Sequence, residues 1–149
     1  MYVTPEKLYT RMSEADVITL SNDISGATAV NMEVVNEVIA TAEDTLNSFV
    51  RGRYIVPLTP VTKLIESMVL DLCVYGLYTR RTNNPIPDSV KDANTNTMKM
   101  LKMIQNKEMH IGVNEIASNG SGQVSGFGDI RVNKTPADRI FGKDTLREY

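Results

Sequence analysis

The residues able to do chemistry are few, and their spacing argues against most reactions. His110 is the only histidine in the chain. A nucleophile, base and orienting carboxylate can be drawn from Ser125, His110 and Asp129, yet any chain with one histidine permits such a set. No enzyme is expected. Gly120, Gly122, Gly126 and Gly128 could bring several backbone N–H groups to one phosphate. A nucleotide loop, however, needs a strand before it and a helix after it, and the Lys-Ser/Thr ending of a P-loop is replaced by Gly142-Lys143-Asp144. The favoured reading is plain backbone freedom, with no cofactor. Scattered carboxylates lack zinc or calcium spacing, so no metal is expected. Cys73, the single cysteine, lies in an apolar run and reads as a buried, inert thiol, as in a reducing cytoplasm.

Charge narrows the partners. The chain carries a formal net charge of -2. Residues 1–58 hold four basic and eight acidic side chains, residues 59–107 seven and four, and the rest five and six. Binding to nucleic acid as a main task usually brings a strong basic excess, which is missing. Opposite charges on one chain can instead meet between neighbouring copies, head to tail, unless they only make a mixed solvated surface.

The elements that position these residues are mainly α-helical. At 149 residues the chain fits one domain able to bury roughly 70% of its unfolded surface. No apolar run reaches the length of about eighteen residues that a membrane span needs, and no export signal opens the sequence. Thr4-Pro5-Glu6 opens a short helix to about Met12, and Ser13 caps a second. The first long helix begins between Thr28 and Asn31 and ends at Arg51. Val35, Val38, Ile39, Ala42, Leu46, Phe49 and Val50 form its apolar stripe. The second, from Pro60 with Thr59 as cap to about Arg81, is apolar nearly all round. It is therefore the central helix or lies in a subunit contact.

Asp88 or Ser89 caps a third long helix ending near Asn106, with Val90, Ala93, Thr97, Leu101 and Ile104 facing inward. Met98, Met100 and Met103 widen this stripe, and core filling is favoured over an adaptable binding surface. The expected architecture is a bundle of three longer helices with short N-terminal helices. Residues 1–112 form the helical domain, and 113–149 a glycine-rich loop or hairpin and C-terminal tail of the same domain. A loop of that length is usually functional or disordered.

Between the first two long helices lies the stretch from Asp44 to Leu58, DTLNSFVRGRYIVPL. Gly52 stands where a helix end favours a left-handed residue. Tyr54, Ile55 and Val56 read as extended ahead of Pro57. Tyr54, Pro57 and Leu58 are expected to be structural, with Tyr54 buried and its hydroxyl hydrogen-bonded. Asp71 sits inside MVLDLCVYGL, where a lone carboxylate is costly, so a pair with Arg53, or failing that Arg51, is expected.

These residues carry a resemblance. Asp44, Phe49, Gly52, Arg53, Tyr54, Pro57, Leu58 and Asp71, with the opening MYVTPEKLYTRM, the segment DLCVYGLY and the ending DRIFGKDTLREY, resemble the Mu-like prophage virion family. That family is grouped with phage head-tail connector or head-completion proteins. The resemblance covers most of the chain, and the glycine-rich stretch after Gly112 departs from it. It implies a structural protein at the head–tail junction of the virion, made in the host cytoplasm. Its implied partners are further copies in a ring, dodecameric by resemblance, the portal protein, and tail-completion or tail proteins. Genomic DNA is touched only transiently, in the lumen.

Phe127, Ile130, Val132, Ile140, Phe141 and Leu146 are the expected docking anchors of the tail. The tail is expected to be mobile in an isolated subunit and ordered on a neighbour, against the alternative that it packs on its own domain. The rival function is a small DNA-binding or DNA-packaging accessory protein using Arg51, Arg53, Arg80 and Arg81 as a basic cluster.

Overall fold

The apolar stripe of the first long segment becomes helix α2, Met32–Val50, preceded by a 3-10 helix at Pro5–Thr10 and by α1, Glu14–Ser21. A computed structural model describes residues 1–24, 26–81 and 85–116. Asn31 caps α2, its side-chain oxygen accepting the N–H of Val34 at 3.4 Å. That meets one of the donors every helix start leaves unpaired. Val35, Ile39, Ala42, Leu46 and Val50 are buried at spacings of three and four, as the stripe predicts.

The end of α2 differs from the expectation. Gly52 does not take the left-handed conformation, which among the described glycines belongs to Gly26 and Gly112. Instead the N–H groups of Arg53 and Tyr54 both donate to Val50 O at 2.9 Å. This tight turn satisfies a terminal carbonyl without a left-handed residue.

Helix α3, Lys63–Arg80, also starts later than expected. Thr62, not Thr59, is its cap, the Oγ1 accepting from Ile65 N at 3.4 Å. The reason lies in the link: Leu58 is buried and its N–H donates to Tyr2 Oη at 2.9 Å, which keeps the chain out of helix until Thr62 offers the same capping oxygen. The Val56–Pro57 and Thr59–Pro60 peptide bonds are cis.

Ile65, Met68, Val69, Leu70, Cys73, Val74 and Leu77 bury most of the circumference of α3. It packs against α2, α1, the 3-10 helix and the last helix, α4, Asp88–Gln105. The all-round apolarity thus marks the central helix. Burying each such large side chain is worth about 1.5–3 kcal/mol.

Helices α2 and α3 run antiparallel. At one end Tyr2 Oη donates to Asn47 Oδ1 at 2.6 Å while accepting from Leu58 N. At the other end Asn31 N donates to Ser21 Oγ at 3.1 Å, and Arg80 Nη1 donates to Leu20 O at 3.1 Å. The end of α1 therefore holds both the start of α2 and the end of α3. Arg80 and Arg81, at the C-terminus of α3, thus both serve α1, with Arg81 donating to Asn22 O.

At the start of α4, Pro87 is the cap residue and makes no side-chain bond, so neither Asp88 nor Ser89 caps as expected. Asp88 instead lies inside the first turn, paired with Lys91 at 3.0 Å. Thr97, Leu101 and Ile104 are buried. Met98 and Met100 pack against the core, whereas Met103 is exposed, so core filling holds for two of the three.

Ile111 and Val113 are buried too. The expected anchors Phe127, Ile130, Val132, Ile140, Phe141 and Leu146 lie outside the described residues.

Candidate interaction site: the Arg53–Tyr54 node

The turn after α2 aims Arg53 across the bundle at the end of α4. Its Nη1 donates to Ile104 O at 3.0 Å and to Met109 O at 2.7 Å, and its Nη2 donates to Glu115 Oε1 at 2.7 Å. One planar guanidinium thus ties two carbonyls and one carboxylate, a geometry that lysine cannot reproduce. The shared hydrogen bond raises the pKa of Arg53 and lowers that of Glu115.

Tyr54 stands beside it with no exposed surface. The guanidinium carbon lies 5.2 Å from its ring centroid, and the His110 ring meets it edge-on at 5.8 Å. The backbone completes the joint: Tyr54 and Glu115 form an antiparallel bridge, and Ile116 N donates to Arg53 O at 2.9 Å. His110 Nδ1 accepts from Gly112 N at 2.9 Å, and its Nε2 lies 3.4 Å from Glu115. The node clamps the α2–α3 link to the chain leaving α4.

Two expectations are corrected here. Tyr54 is buried as expected, but its hydroxyl has no hydrogen-bond partner among the described residues, nor has Arg53 Nε. Asp71 does not pair with Arg53 or Arg51. It faces Arg11 at 3.5 Å and accepts from Thr97 Oγ1 at 3.3 Å, because Arg53 is already committed to the end of α4.

The sequence motif therefore spreads over separate tasks. Phe49 and Leu58 pack the core, Gly52 and Pro57 are exposed in the link, Asp44 points outward from α2, and Asp71 joins α3 to the N-terminal segment. Pro57 is thus not part of the buried set.

The arginines expected to form one basic cluster are split. Arg53 serves one end of the α2–α3 pair, while Arg80, bonded to Leu20 O and paired with Asp23, serves the other. A helix of 18 residues separates these ends by roughly 27 Å. His110 contacts Tyr54 and Glu115, whereas Ser125 and Asp129 lie outside the described residues. Among the described residues no group of His, Cys, Asp and Glu side chains could hold a metal.

Tyr2 went unnoticed in the sequence. Its hydroxyl bridges Asn47 and Leu58, and its N–H donates to Glu43. Lying outside any helix, it has no periodic signal, and only its place in the resembling MYVTPEKLYTRM segment pointed to it.

Fold and site define a mainly helical body whose motif residues serve packing and bracing. No helix among the described residues is long and apolar enough to cross a membrane. The chain belongs to the Bacteriophage Mu, Gp36 family, whose profile matches residues 2–126. It is thus a protein of a Mu-like phage family, in keeping with a role in the virion. No curated protein matches it.

Proposed function

We propose that this chain is a head-completion adaptor of the virion: copies of it form a ring beneath the portal, and the ring is the platform on which the tail is built. The observation that carries the reading is the family match over residues 2–126. The braced body supports it, since a platform needs subunits that keep their shape when loaded. The Arg53 node and the Tyr2 strut join segments far apart in sequence into one such body.

The protein works by binding geometry and performs no catalytic step. Its neighbours are identical copies, the portal protein on one side, and tail-completion or tail proteins on the other. Genomic DNA passes through the lumen and is touched only in transit. The separation of Arg53 from Arg80 favours this role over that of a DNA-packaging accessory protein, because no single stripe of the four arginines tracks a phosphate backbone.

The test is sedimentation of the purified chain with assembled portal. Co-migration in a complex of defined stoichiometry is expected. Failure to bind portal, together with salt-dependent DNA affinity, would transfer the role to packaging.

A further inference from the structure

A groove of about 480 Å³ runs between α2 and α3, and no α4 residue lines it. Val34, Val38, Leu72, Tyr75 and Gly76 supply its apolar lining. Gly76 permits the two helices to approach, since a Cβ there would stand 3.1 Å from Val38 Cγ1. Along the outward face of α2 beside the groove, Glu33, Glu37 and Asp44 are exposed, and α2 contains no lysine or arginine. Arg80, at the end of the groove, is engaged with Leu20 O and Asp23. The groove therefore presents an apolar floor with an acidic lip.

The outward face of α4 has the complementary character. From Thr95 to Gln105 it carries Lys99 and Lys102 and no carboxylate, and Met103 beside them is 41% exposed. Positions 99, 102 and 103 share one side of the helix, so a flexible apolar side chain stands beside two cations. Among the described residues no ion pair engages Glu33, Glu37, Asp44, Lys99 or Lys102.

We infer that the α2–α3 groove is the docking site for α4 of a second copy of this chain, with Met103 entering the groove and Lys99 and Lys102 facing the acidic row on α2. The two surfaces are different parts of one chain, so the contact is head-to-tail and closes into a ring when the rotation permits. It deepens the adaptor reading and rests on it for its setting. Charge selects the partner and fixes register, while the apolar floor excludes water.

The experiment is sedimentation equilibrium on the full chain over a range of concentrations. It compares the natural protein with the double variants Glu37→Lys/Asp44→Lys and Lys99→Glu/Lys102→Glu, and with the chain carrying all four substitutions. All four positions are exposed, and circular dichroism checks that each variant keeps its helix content. The natural chain is expected to self-associate, less so at high salt. Each double variant alone should be monomeric, and the fourfold variant and an equimolar mixture of the doubles should associate again.

A natural chain that stays monomeric at every concentration, or reversals that leave self-association unchanged, would overturn the assignment. Portal binding by the natural chain, measured separately, distinguishes the two readings. If it persists while self-association ignores the reversals, this contact fails and the adaptor role stands; if it is missing while the reversals act as described, the contact stands and the adaptor role fails.

Discussion

Asp71 shows how a partner changes the weight of a residue. Its ion pair with Arg11 is long, at 3.5 Å, and the Arg11 side chain is 40% exposed, so the pair contributes at most about 1 kcal/mol. Thr97 matters more. It has no exposed surface, and its hydroxyl donates to Asp71. Asp71→Ala leaves that hydroxyl unpaired and should cost about 1–3 kcal/mol in denaturant unfolding. Adding Thr97→Val removes the orphan and should recover much of the loss; a double variant as unstable as the sum of the singles would refute this. Glu115 carries a pH signature. The Arg53 hydrogen bond holds its carboxyl below the ordinary 4.5, so its contribution is present above that value and is lost as pH falls through the depressed one. The protection factor of the Ile116 amide should therefore fall on the acid side, and Glu115→Gln should abolish that step.

At the scale of elements, two helix ends make predictions of unexpected sign. Gly52 lies outside the left-handed region, and a Cβ there would meet nothing within 4 Å. Gly52→Ala should therefore raise stability by about 0.4–1 kcal/mol, by restricting the unfolded chain. Lys107, beyond the end of α4, does take the left-handed conformation at φ 66. The turn is closed by Lys107 N to Ile104 O at 3.1 Å and Glu108 N to Met103 O at 2.9 Å. A side chain in that conformation costs roughly 1–2 kcal/mol, so Lys107→Gly should stabilise by part of it. Thermal melts of both variants check the pair, and a destabilised Gly52→Ala would restore the left-handed cap that the sequence suggested.

For the molecule as a whole, Cys73 reports on opening. It sits on the central helix with no exposed surface, and burial, with the Glu43 charge adding to it, pushes the thiol up to about 12. At neutral pH it is protonated and screened, hence unreactive. Labelling by a thiol reagent should require the bundle to open, and its rate should rise with denaturant in step with unfolding. Fast labelling of the native protein would contradict the burial of α3. Because the folded pKa is raised above the ordinary 9.0, the thiol's contribution to stability is complete below pH 9 and is lost as pH rises towards 12.

The apolar spacing from Val35 to Val50 and the all-round apolarity of α3 determined by themselves that the chain is a helical bundle, since periodicity records which faces leave water. The choice of α3 as the central helix over a subunit contact came from its packing. The family was legible as well, in motifs of mixed structural use. The choice of polar partners was not. Arg53 meets Glu115 across 62 residues, and Tyr2 meets Leu58 across 56. Asp71 took Arg11, Thr62 displaced Thr59 as cap, and Val50 O received two N–H groups in place of a left-handed Gly52. A donor can satisfy any acceptor within reach, and reach is set only once the helices have packed, so these pairings belong to the tertiary structure.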